Sequence, residues 1–74
     1  MSRRIHDIRY LGQESLVKLK ILVFLSRGYS YDDIAECLSV NKRVVHYHMR
    51  AMRDWFDCKT NLQLICKAVK AGII

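Results

Sequence analysis

The sequence predicts an all-α protein, a compact four-helix bundle that contains a helix-turn-helix. Proline is absent from all 74 residues, and no segment alternates apolar and polar residues as a strand would. Two helix-start signals, at Ser30 and Asn41, lie eleven residues apart. A third start signal at Thr60 opens a last helical segment. Helices separated by short turns are therefore expected throughout.

The first predicted helix runs from Gln13 to Arg27 and is apolar around most of its circumference. Such a helix is expected to lie centrally, contacted by its neighbours on more than one side. Gly28 follows and supplies the helix stop. The apolar residues of this helix are Leu16, Val17, Leu19, Ile21, Leu22, Val23, Phe24 and Leu25.

The second and third helices form the predicted helix-turn-helix. Ser30 is a hydroxyl N-cap for a helix at about 31–38, whose first turn carries two carboxylates that suit the positive end of its dipole. Asn41 caps a longer helix at about 42–56. Only Ser39 and Val40 separate the two helices, so the turn must be tight. A short helix, a tight turn and a longer helix are typical of this motif.

The third helix divides into two faces when its residues are placed roughly 100° apart. The stripe expected to face the core comprises Val45, Met49, Met52 and Phe56. The opposite stripe comprises Arg43, His46, Tyr47 and Arg50, with Lys42 leading into it and Arg53 flanking it. A solvated charged face is the general interpretation. On the second helix of a helix-turn-helix, the same side chains favour contact with base edges and phosphates.

The last helix is predicted from about Asn61 to Ala71, with Thr60 and Gln63 as a capping box and Gly72 as its stop. Its apolar residues cover more surface than a one-sided helix needs. A second copy of the chain is the expected cover. The alternative is that a small protein exposes some Ala and Leu. The predicted dimer interface is Leu64, Ile65, Ala68 and Ala71.

Composition favours a polyanionic partner. Thirteen basic residues against seven acidic ones give a net charge of +6 and a pI of about 9.6. This balance alone does not separate DNA from RNA or an anionic membrane. The charged N-terminus is no secretory signal, and the longest apolar run, Ile21 to Leu25, has five residues. Three cysteines without C-x-x-C spacing indicate free thiols in the cytoplasm, and Cys37 is expected to pack against a neighbouring side chain.

No catalytic or metal-binding pattern is predicted, and no cofactor is expected. Asp32 and Asp33 are adjacent, so their side chains point in different directions and cannot flank one bond. His46 and His48 lie roughly 200° apart on a helix and cannot share a metal ion. No glycine-rich phosphate loop or nucleophile motif occurs. The chain is not expected to be an enzyme.

From about Gln13 to Ile74 the sequence resembles the LuxR/GerE-type DNA-binding domain of bacterial transcription regulators. The resemblance is carried by ILVFLSRGYSYDDIAECLSV, NKRVVHYHMRAMRDWF, TNLQ and AVKAGII. It implies four helices, of which the third reads the major groove and the fourth forms a two-fold dimer. It also implies base contacts by His46, Tyr47 and Arg50, and phosphate contacts by Ser30, Tyr31, Lys42 and Arg43.

Four positions depart from the family pattern. Ser39 stands where a turn glycine is common, so it is expected to bear mild strain. Val44 replaces a hydroxyl residue, and Tyr31 replaces a smaller polar one. His46 stands where lysine is frequent, which predicts a weaker or pH-sensitive groove contact. These departures affect which DNA sequence the domain is expected to prefer and leave the predicted fold unchanged.

The expected function is that of a homodimeric, sequence-specific transcription regulator that binds double-stranded DNA. The alternative is an interaction module that forms a heterodimer with a larger regulator and modulates it; RNA binding ranks third. Residues 1–12 form a short basic segment, either a helix or a loose arm, before the domain at 13–74. The chain is expected to be either a single-domain regulator or an excised domain. The predicted DNA-binding residues are Ser30, Tyr31, Lys42, Arg43, His46, Tyr47, Arg50 and Arg53.

Overall fold

The computed structural model describes residues 12–74, with side chains from Leu16 onward. This part of the chain forms four α-helices and no strand, which confirms the predicted all-α class. The helices are α1 (Gly12–Ser26), α2 (Tyr31–Leu38), α3 (Lys42–Trp55) and α4 (Asn61–Lys70). Each helix begins and ends within one residue of its predicted position. The expected helix or arm in the N-terminal segment falls on residues 1–11, outside the described part.

The three predicted N-caps are confirmed. Ser30 Oγ accepts a hydrogen bond from the Asp33 backbone N–H at 3.1 Å, and the Asp33 carboxylate accepts one from the Ser30 N–H. Asn41 Oδ1 accepts from the Arg43 N–H at 2.8 Å. Thr60 and Gln63 form the predicted capping box. These side chains satisfy N–H groups that a helix start leaves without a partner, so the sequence alone places each start.

All four helices end with the same pair of backbone hydrogen bonds. At the end of α1, the Gly28 N–H donates to the Leu25 carbonyl and the Tyr29 N–H donates to the Phe24 carbonyl. This is the Schellman arrangement, which requires one residue with positive φ. The positive-φ residues at the four ends are Gly28, Ser39, Asp57 and Gly72. Each helix therefore ends next to a residue that adopts positive φ. At two of the four ends this residue is not glycine.

Helix α3 lies at the centre of the packing and contacts α1, α2 and α4. Its predicted core stripe is confirmed: Val45, Met49 and Met52 are buried, and Phe56 packs half-buried against them. His48 is also buried, at the edge of this stripe. The remaining buried core residues are Ile21, Leu22, Ile34, Ala35, Cys58, Leu64 and Ala68. Helix α3 is thus held on one side by apolar contacts, while its other side faces outward.

Two expectations need correction. Leu64 and Ala68, predicted to lie in a dimer interface, have no exposed surface, because α4 packs this side onto the core. Neither side chain can meet a partner in this fold. Cys37, expected to pack against a neighbour, is exposed on α2. The buried thiol is that of Cys58, in the connection after α3.

Among the described helices, none combines the length and apolar character that a membrane crossing requires.

Candidate nucleic-acid interface

The outer face of α3 presents the four side chains that the sequence placed there. Arg43, His46, Tyr47 and Arg50 are all exposed, and Tyr47 exposes 67% of its surface. Their spacing of three, four and seven residues from Arg43 keeps them on one side of the helix. The buried stripe on the opposite side fixes the rotation of α3 about its own axis. These four side chains therefore share one outward surface.

A shallow, open depression of about 510 Å³ lies on this surface. The residues that line it are Arg43, Val44, His46, Tyr47 and Arg50, all from α3. Two guanidinium groups, one imidazole and one phenol thus lie side by side on a face that is open to solvent. Arginine forks onto guanine O6 and N7 or onto phosphate, and the other two groups donate or accept single hydrogen bonds.

The first turn of α3 adds a cation that is already paired. Lys42 Nζ lies 3.1 Å from Asp32 Oδ1 of α2, and both side chains are more than half exposed. Ion pairs this exposed contribute about 0–1 kcal/mol, so an approaching phosphate can replace the carboxylate at little cost. Lys42 is therefore available to an anion, although Asp32 opposes the approach.

The start of α2 is less open to phosphate than the sequence suggests. The Ser30 hydroxyl oxygen already accepts from the Asp33 N–H, and the Asp33 carboxylate occupies the Ser30 N–H. Asp32 and Asp33 are both exposed in this first turn. A phosphate at this helix end would meet two negative charges. The hydroxyl of Ser30 still has a hydrogen to donate.

Tyr31 and Arg53 are held within the domain by a residue that sequence reasoning missed. Asn61 Oδ1 accepts from Arg53 Nη1 at 2.6 Å, and Asn61 Nδ2 donates to the Tyr31 hydroxyl oxygen at 2.9 Å. All three side chains are half-buried. Asn61 appears in the sequence only as the first residue of a helix. Its role depends on a residue thirty positions away, which no local pattern reveals.

Helix α4 has a second apolar face, which the sequence prediction did not separate from the first. Leu62, Ile65, Cys66 and Val69 lie at i, i+3, i+4 and i+7, opposite the buried Leu64 and Ala68. Leu62 exposes 73% of its surface and Val69 exposes 54%. Of the four predicted interface residues, Ile65 is half-buried and Ala71 is exposed. We call Leu62, Ile65, Cys66 and Val69 the outer α4 face.

The described residues hold no cluster of three or more histidine, cysteine, aspartate or glutamate side chains placed to bind a metal ion. His46 is exposed and His48 is buried, so the two imidazoles lie on different sides of α3.

The described residues form a small all-helical domain that presents a cationic, hydrogen-bonding face on α3. No known protein family, curated protein or solved structure matches the chain. The resemblance to LuxR/GerE-type domains therefore depends on the sequence motifs alone.

Proposed function

We propose that this chain is a sequence-specific, DNA-binding transcription regulator of the cytoplasm and not an enzyme. The helices α2 and α3, with the three residues between them, act as a helix-turn-helix. Helix α3 enters the major groove of duplex DNA. One observation carries the proposal: Arg43, His46, Tyr47 and Arg50 are all exposed on the side of α3 that faces away from the core.

The chemistry of this face supports duplex DNA as the partner. The major groove of B-DNA is wide enough to admit an α-helix, and it presents a different pattern of donors and acceptors for each base pair. Arg50 and Arg43 provide forked donors, and His46 and Tyr47 provide single ones. The net charge of +6 attracts the phosphate backbone without regard to sequence. Arg50 lies at the middle of α3, and we assign it the main role in base preference.

The outer α4 face supports a homodimer. It is apolar and largely exposed, and it shares no residue with the outward face of α3. A two-fold dimer buries the same patch from both copies and places two copies of α3 on one duplex. Only Ile65 is common to this face and to the interface predicted from sequence.

A second candidate function is favoured by the same exposed face. A domain that presents Leu62 and Val69 to solvent is also suited to form a heterodimer with a larger regulator and modulate it. In that case α4 carries the function and α3 is dispensable. Reversing the charge of Arg43 and Arg50 would leave regulation intact, whereas a charge introduced at Leu62 would abolish it.

The decisive experiment is selection of bound sites from random duplex DNA. We expect an enriched motif with two symmetric half-sites, since each copy of α3 reads one half-site. An enriched single half-site would support DNA reading and contradict the homodimer. A pool that shows no enrichment, from a chain shown to be folded by circular dichroism, would contradict the proposed function.

A further inference from the structure

A chain of contacts links the start of α4 to the outward face of α3. Arg53 Nη1 donates to Asn61 Oδ1, and Asn61 Nδ2 donates to the Tyr31 hydroxyl oxygen. The Tyr31 ring in turn meets the His46 ring edge-on, with centroids 4.5 Å apart and planes at 76°. Three helices contribute to this chain of contacts: Tyr31 from α2, His46 and Arg53 from α3, and Asn61 from α4.

Arg53 determines the orientation of the Asn61 amide. A guanidinium has only donors, so the amide oxygen must face Arg53 and the amide nitrogen must face Tyr31. The Tyr31 hydroxyl oxygen therefore accepts, and this hydrogen bond holds the hydroxyl end of the ring in place. Because Arg53, Asn61 and Tyr31 are half-buried, water competes with these bonds less than it would at the surface.

His46 is the exposed end of this chain of contacts. An exposed histidine on a helix samples several rotamers, and a base contact must select one of them at an entropic cost. The Tyr31 ring packs edge-to-face with the imidazole and restricts that freedom before DNA binds. Edge-to-face packing of two rings is a favoured geometry and stabilises the restricted position.

We infer that Tyr31, held by Asn61 and Arg53, is a positioning residue for His46 and thereby a determinant of base preference. This inference depends on the proposed function, since it assigns His46 a base contact. It also revises two roles expected from sequence. Tyr31 acts through His46 instead of binding phosphate. Arg53 binds the Asn61 side chain and so connects α3 to α4, instead of contacting DNA.

The test is a double-mutant cycle between Tyr31→Phe and His46→Ala, measured on the selected DNA site. Tyr31→Phe removes the hydroxyl and keeps the ring. We expect it to weaken binding about three- to tenfold, the range that corresponds to ordering one side chain. Base preference should relax at the same base pair that His46→Ala relaxes. In the His46→Ala background, Tyr31→Phe should have no further effect.

Tyr29→Phe is the matched control, because it removes a tyrosine hydroxyl from a ring that packs on Phe24 and has no contact with His46. It should leave affinity and base preference unchanged. An equal loss from Tyr31→Phe with and without His46 would overturn the inference, since Tyr31 would then act on DNA directly. Loss of affinity without a change at the His46 base pair would overturn it as well.

A measurement on the free protein separates this inference from the proposed function. Nuclear Overhauser contacts between the Tyr31 and His46 rings should be present, and Asn61→Ala should weaken them while the chain stays folded. Contacts that persist unchanged in Asn61→Ala would overturn the positioning role, whether or not the chain binds DNA. Absence of any duplex binding with the ring contacts intact would instead overturn the proposed function.

Discussion

Arg50 is exposed on the outward face of α3, and no described carboxylate lies within ion-pairing distance of it. In the proposed complex with DNA, its guanidinium therefore leaves no carboxylate of the described residues. Lys42 differs, because it is paired with Asp32 in the free protein. The two cations are expected to act differently: Arg50 reads a base pair, and Lys42 contributes to attraction that is independent of sequence.

Replacing Arg50 with alanine should cost about 1–3 kcal/mol of binding free energy and relax preference at one base pair. The physical reason is the loss of two hydrogen bonds to one guanine edge. Fluorescence anisotropy with the selected site and its single-base variants measures both effects. Lys70→Ala removes one positive charge from the end of α4 and is the control. If both variants lose affinity equally for every sequence, Arg50 is not a base-reading residue.

Replacing Asp32 with asparagine should strengthen DNA binding about two- to fivefold, as expected for removal of an exposed ion-pair partner. Lys42 would then have no carboxylate to leave before it binds phosphate, and the repulsion between Asp32 and the phosphate would disappear.

Lys42→Ala should instead weaken binding to all DNA sequences alike and reduce the slope of log affinity against log salt concentration by about 1. Titrations at several salt concentrations measure both. Asp57→Asn changes the net charge identically. An equal gain in DNA affinity from this variant would show that the gain comes from net charge and not from the Lys42–Asp32 ion pair.

At the scale of single helices, the ends are defined by residues within a few positions of one another. Every described helix ends with a positive-φ residue, and at α2 that residue is Ser39, with φ 56° and ψ 44°. Serine in this conformation brings its Cβ close to the following carbonyl oxygen, a cost that glycine avoids. The strain expected at Ser39 from the sequence is therefore present, in the turn that joins the two helices of the proposed motif.

Replacing Ser39 with glycine should raise the free energy of unfolding by about 0.5–1 kcal/mol, because relief of the strained conformation exceeds the extra freedom of the unfolded chain. The melting temperature should rise by roughly 4–8 °C per kcal/mol for a domain of this size. Ser26→Gly makes the same substitution at the last residue of α1, where glycine should destabilise. Thermal unfolding by circular dichroism measures both. A lower melting temperature for Ser39→Gly would show that the turn needs serine.

At the scale of the whole molecule, α4 has two apolar faces, one packed in the core and one largely exposed. Leu64 and Ala68 complete the core, whereas the outer α4 face remains exposed. A substitution on the first face should act on folding, and a substitution on the second should act on association. The two effects can therefore be separated in one helix.

Leu62→Asp should abolish the proposed homodimer while leaving the monomer folded, since an acidic residue near the start of α4 suits the helix dipole. Leu64→Ala should instead cost about 2–5 kcal/mol of stability, because it opens a cavity in the core. Sedimentation velocity and chemical unfolding measure the two outcomes.

Disulfide cross-linking through exposed Cys66 on the outer α4 face is a second test of the proposed dimer contact. The Cys37→Ser substitution removes the other exposed thiol. A wild-type chain that stays monomeric on DNA would contradict the homodimer.

By itself, the sequence determined the number of described helices, their bounds and the two faces of α3. Caps and helix ends depend on residues within a few positions, and the two faces of α3 differ so strongly that one orientation suits the core. Only the tertiary structure decided which apolar face of α4 turns inward, because Leu64 and Leu62 are chemically alike. It also decided the contacts of Tyr31 with Asn61 and of Lys42 with Asp32. Those contacts depend on how helices rotate and cross when they pack, which no local pattern encodes.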